Sequence, residues 1–192
     1  MLRRTLTVLA LTLAPALSAA CSSPEGRTPT EEKAYALMVR DEALRELYLR
    51  EPLAREQLEG SPGYVFLSGF ALHPGILTFA NAYGVLQDNV TGKQTHLRLT
   101  RFGLGPGLAI KGYYLVAILS SDEAVAAVAE GKWNAGGLIE ASLRFGDFGG
   151  SLAAEGLGGS STVDTYLWTH TGFAIELAGV VGKVYPEDDL NR

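Results

Sequence analysis

Between Thr28 and Leu58 apolar residues recur at helical spacing, and from Tyr64 onward the period drops to two with frequent glycines. Thr28-Pro29-Thr30-Glu31 is a helix start, with Thr28 as cap, Pro29 at the first helical position and Glu31 three residues on. The helix is predicted to run to about Tyr48 or Arg50 and to bury a stripe of Ala34, Leu37, Met38, Leu44, Leu47 and Tyr48. Pro52 breaks it or restarts it as a short helix through Leu58, which Gly60-Ser61-Pro62-Gly63 ends.

The alternating region divides at its turn signals. Tyr64 to Phe70 and Ile76 to Leu86 are predicted as a hairpin about His73-Pro74-Gly75, and Asp88 to Gly92 is the next turn. Gln94 to Phe102 places Thr95, Leu97, Leu99 and Arg101 on one side and His96, Arg98, Thr100 and Phe102 on the other. Gly103 to Gly107 is read as a turn into the strand Leu108 to Leu119. A short helix, Glu123 to Glu130, follows, with Ser120 and Glu123 at capping-box spacing and Gly131 at its end. Strands are predicted at Ala135 to Phe145, Phe148 to Ala154, Val163 to Trp168 and Phe173 to Tyr185, the last two joined by a turn at His170-Thr171-Gly172. With a helix between only one pair of strands, parallel βαβ units do not fit. The predicted fold class is α+β, a mainly antiparallel, curved or barrel-like sheet with N-terminal helices and one short internal helix.

Ahead of this lies an address. Met1-Leu2-Arg3-Arg4 is basic, and Thr5 to Leu17 has the length of a signal-peptide core, too short to cross a bilayer. Ser18-Ala19-Ala20 precedes Cys21, the single cysteine, in an order that resembles a bacterial lipobox; Ser18-x-Ala20 also suits ordinary signal peptidase. Residues 1–20 are read as signal peptide, 21–28 as a polar tether lipidated at Cys21, 29–185 as one domain and 186–192 as a loose tail. Ser22, rather than Asp, after the cysteine points to an outer membrane, facing the periplasm. Loss of residues 1–20 removes Arg3 and Arg4, leaving 14 basic against 21 acidic residues and a net charge of −7. That sign excludes nucleic acid as the natural partner. Arg40, Arg45, Arg50 and Arg55 recur every five positions, so the helices present no basic face to a membrane.

Catalytic and metal signatures are missing. Gly103 to Gly112 fails both nucleotide-loop templates, since a strand rather than a helix follows and Tyr113 stands after Gly112. His73, His96 and His170 lack metal-ligand spacing, and Ser151 is not in a nucleophile elbow. No cofactor, metal or catalytic residue is assigned, although a carboxylate-based hydrolase is not excluded by sequence. Arg98, Arg101 and Lys111 are the candidate contacts for an anionic headgroup.

The order of segments from about Pro52 to Tyr185 resembles the SYLF domain family, a lipid-binding module of eukaryotic trafficking and actin-patch proteins and of many bacterial lipoproteins. The residues carrying it are Tyr64 to Phe70, Tyr83-Gly84-Val85-Leu86, Gly92, Arg101-Phe102-Gly103-Leu104, Tyr113 to Leu119, Asp122 to Gly131 and Gly172 to Val184. Where the family has small residues and Pro before Phe-Gly, this chain has His96 to Arg101, so the phosphoinositide preference of eukaryotic members is not carried over. The resemblance implies a non-enzymatic, phospholipid-associated, β-rich domain. The expectation is a lipid-anchored envelope protein whose membrane contact is the acyl anchor and, in addition, the domain. The alternative is a periplasmic interaction or scaffolding module that binds no headgroup.

Overall fold

The computed structural model describes residues 23–133, 149–154, 161–176 and 179–192. The segment read as a signal peptide, Cys21 and the strand expected at Ala135 to Phe145 lie outside the described residues. Helix α1 spans Pro29–Arg50 and α2 Leu53–Gly60. Strands β1 (Gly63–Asp88) and β2 (Gln94–Leu119) follow, then α3 (Asp122–Ala129), β3 (Gly149–Ala154), β4 (Ser161–Glu176) and β5 (Gly179–Pro186). The sheet is antiparallel in every pairing, in the order β1-β2-β4-β3, and β5 also pairs with β2. This is the expected α+β fold; the sheet is curved, and among the described residues its ladder is not closed into a barrel.

The helix starts are set locally. The Thr28 hydroxyl accepts the Glu31 amide at 3.3 Å, and Glu31 accepts the Arg27 amide at 2.7 Å. At α3 the cap is Ser121, which accepts the Ala124 amide, rather than the expected Ser120. On α1 the buried side chains are Ala36, Val39, Ala43, Leu44 and Leu47, while Ala34 and Met38 of the expected stripe are exposed. The small Ala36 and Ala43 let the helix lie close to the sheet, where this face meets Tyr64, Phe66, Tyr83, Val85, Val116, Ile118 and Trp168.

Three expected turns are not turns. β1 runs unbroken through His73-Pro74-Gly75, β2 through Gly103 to Gly107, and β4 through His170 to Gly172. Both halves of β1 pair with β2, across the turn after Asp88. At the middle of this hairpin the register slips between Gly75 and Leu77, opposite Gly107 and Leu104, and the ladder skips Ile76, Gly105 and Pro106. Gly75 supplies the slip with a φ of 107°, and Pro106, which has no amide to donate, falls where no ladder bond is needed. The glycines and prolines that signal turns locally therefore bend a long sheet here.

The bend folds the hairpin onto itself. A β-carbon on Gly84 would overlap the Phe66 carbonyl oxygen, and the Asn89 amide donates to Pro62 O at 2.9 Å, so the two ends of β1 meet. β4 and β5 lie end to end along the other edge of β2, pairing with Gly107 to Ile118 and with Leu97 to Leu104. Between the folded halves, Val65, Leu67, Leu86, Leu97, Leu115 and Leu119 pack with α3 and the fully buried Trp133. The tail expected to be loose is docked: Leu190 is buried, and Asn191 brackets the His96 backbone, accepting its amide and donating to its carbonyl, both at 2.8 Å.

Candidate functional site at the bend

Near the bend the usual arrangement of a water-facing sheet is inverted. Antiparallel sheets with one solvated face turn apolar residues inward and polar ones outward. Here the inward positions of β2 are Arg101, Gly103, Ala109 and Lys111, all buried, and the outward ones are Phe102, Leu104, Leu108 and Ile110, all exposed. The same holds across the ladder. Pro74 stands opposite Leu108, Leu77 opposite Leu104, and Phe79 opposite Phe102 with ring centroids 5.4 Å apart. Ile76, in the slip, is 69% exposed, and Leu104 and Leu108 are 58% and 57% exposed. Along the other edge of β2 the register sets Phe173 and Ile175 of β4 beside Ile110 and Leu108, and Val181 of β5 beside Phe102. The exposed apolar residues thus run across β1 and β2 on the convex side of the bend.

The three cations expected to meet a headgroup are not one surface. Arg98 lies on the opposite face from Arg101, as its place in the alternation dictates, and is ion-paired with Glu187 while also donating to Ser23 Oγ at 3.2 Å. Arg101 and Lys111 are both inward, 3% and 2% exposed. The bend brings Arg101 within electrostatic reach of Tyr113, whose ring is fully buried. Burial pushes the Tyr113 hydroxyl up to about 12, and the Arg101 guanidinium pulls it the other way. Arg101 Nε and Nη1, the Tyr113 hydroxyl and Thr78 Oγ1 are all buried without a hydrogen-bond partner. Thr78 and Arg101 belong to neighbouring register pairs on the same face. The concave side of the bend holds a guanidinium and two hydroxyls with unpartnered polar atoms, chemistry suited to ordered water or an oxyanion.

Two of the three histidines are buried rather than surface residues, and His170 is exposed. His73 is fully buried, with Nε2 at 2.8 Å from Gly105 O across the bend. His96 is buried near the hairpin turn, and His170 stacks on Tyr114 with centroids 4.3 Å apart. Desolvation holds both His96 and His170 below the ordinary imidazole value, and the nearby Lys33 and Arg40 add to the effect at His96. Among the described residues no group of three His, Cys, Asp or Glu is placed to hold a metal, and no helix is long and apolar enough to cross a membrane.

The apolar convex face was hidden from sequence reasoning because Gly103 to Gly107 was taken to interrupt the strand. Continued through it, the alternation of Arg101, Phe102, Gly103 and Leu104 already has its charge on the side of Leu97 and Leu99, which is the buried side. Neither a family model nor a curated protein matches the chain.

Proposed function

We propose that this is an exported, lipid-anchored envelope protein of SYLF type, attached through Cys21, whose domain contacts phospholipid and performs no catalysis. The observation carrying this reading is the inverted sheet at the bend, with apolar residues outward and cations inward. A contiguous exposed apolar patch marks a contact surface for a membrane or a protein. A bilayer is the better fit because Ile76 and Pro74 project with Leu104 and Leu108 from the convex side of a bend, a shape that inserts rather than embraces. Contact is apolar rather than ionic, since the domain is acidic and Arg98 is already paired.

The test is flotation of the chain from Arg27 onward with phosphatidylethanolamine and phosphatidylglycerol vesicles at low and high salt. The protein is expected to float with both, with little loss at high salt. Failure to float under every condition, together with capture of a protein partner from envelope extract, defeats this reading in favour of a scaffolding module.

A further inference from the structure

At the opposite end of the sheet from the bend, a cavity of about 350 Å³ opens between α1, the start of β2, the end of α3 and the C-terminal tail. Its lining includes Lys33, Lys93, Thr95, His96 and Asn191, and no carboxylate. We propose that it binds a small soluble phosphate-bearing anion, inorganic phosphate or the monoester of a small polar molecule.

The cavity joins two ammonium groups to an imidazole. Among the described residues Lys33 Nζ donates to a carboxylate oxygen of the terminal Arg192 at 3.2 Å, and the ammonium has further donors. His96 is 6% exposed, and its Nδ1 is buried with no partner. The imidazole is fixed in place by its own backbone, which Asn191 brackets and to which Glu187 donates its amide at 2.9 Å. Acids next to the lining strand and tail already have partners, Asp189 among them with Arg192. Asp88 accepts the amides of Val90 and Thr91 at 2.9 Å and the Thr91 hydroxyl at 2.6 Å, and Glu187 holds Arg98. Asp88 does lie within electrostatic reach of Lys93, and Lys33 and Arg40 both act on His96. The lining thus brings two lysines to an imidazole whose Nδ1 has no partner, and a dianionic oxyanion supplies further acceptors for the lysines and a partner for an imidazolium.

The volume exceeds that of a phosphate group alone and falls at the lower end of small-molecule sites, which leaves room for the rest of a small monoester. About ten strand residues separate His96 from the bend, roughly 30 Å of extended chain before curvature. If the bend rests on a bilayer, as the proposed function has it, the cavity faces water, so a soluble anion rather than a headgroup is its ligand.

The experiment follows the imidazole protons of the chain from Arg27 onward by NMR through a pH titration in lipid-free solution. His73 and His170 in the same spectrum serve as internal references. Inorganic phosphate and glycerol phosphate are compared with chloride at matched ionic strength. Either phosphate is expected to raise the His96 pKa by about 1 unit over chloride, the lower end of what an opposite charge at ion-pair distance produces. Lys93→Met and Lys33→Met, at positions not fully buried, should each reduce the difference. An unchanged His96 titration overturns the proposal, and so does a response to phosphatidate vesicles with none to either soluble phosphate. Because lipid is absent from the main arms, vesicle flotation succeeds or fails independently of this result.

Discussion

Replacing Leu104 and Leu108 together by Ser removes the two leucines that project furthest from the bend. Fully burying a leucine side chain from water contributes about 1.5–3 kcal/mol. At 58% and 57% exposure, each has roughly half of that still to gain, about 1 kcal/mol. The double variant should therefore lose about 2 kcal/mol of membrane affinity, about 30-fold in the partition coefficient. Sedimentation of the chain from Arg27 onward with sucrose-loaded vesicles, over a range of lipid concentrations, reads this directly. A urea melt of the same samples guards against a trivial cause, since exposed positions should change stability by no more than about 0.5 kcal/mol. A folded double variant that partitions like the parent protein would falsify the claim that the convex face meets lipid.

Gly84→Ala should destabilise the domain by about 2 kcal/mol or more in urea, because the added carbon strikes the Phe66 carbonyl and no rotamer relieves a backbone overlap. Gly60→Ala, where nothing lies within 4 Å of the new carbon, should be neutral or slightly stabilising in the same assay. Acidification should weaken the fold through His96. Its folded pKa lies below the unfolded value of about 6.5, so the unfolded chain takes up the proton first. Stability is then full above about pH 6.5 and falls below it, by at most about 1.4 kcal/mol per pH unit from this one group. His96→Gln should flatten urea stability between pH 7 and 5.5, and an unaltered slope would show that other groups carry it. Cys21→Ala should abolish the acylated mass and the detergent-phase partitioning of the mature protein; retention of either rules out lipidation at that residue.

Much of the fold was legible because it is decided by near neighbours. Thr28, Pro29 and Glu31 fix the start of α1, and Asp88 to Gly92 forms the turn its composition announces, closed by the Asp88 carboxylate. The bend was not legible, for a physical reason. Pro74-Gly75 and Gly105-Pro106-Gly107 carry turn chemistry, and only the ladder on both sides of them shows that the chain bends there and continues as the same strand. The face assignment at Arg98 and Arg101 followed from alternation and was correct as such. What alternation does not contain is which side of a bent sheet is inside, so grouping Arg98 with Arg101 and Lys111 as one surface was beyond its reach. The proximity of Arg101 to Tyr113 depends on the fold-back, and the cavity beside His96 depends on a tail whose polar sequence gives no sign that it docks.

β2 is hydrogen-bonded along one edge to a strand that directly precedes it and along the other to the last strands of the chain. Ile118 waits for Asp164, and Leu97 waits for Pro186. The central strand therefore has an open edge until nearly the whole polypeptide is present, and the closing of such distant pairs is slow. The sheet is complete only when the C-terminal strands arrive. A nascent or truncated chain ending before β4 displays a long unpaired strand edge, the template on which aggregation begins.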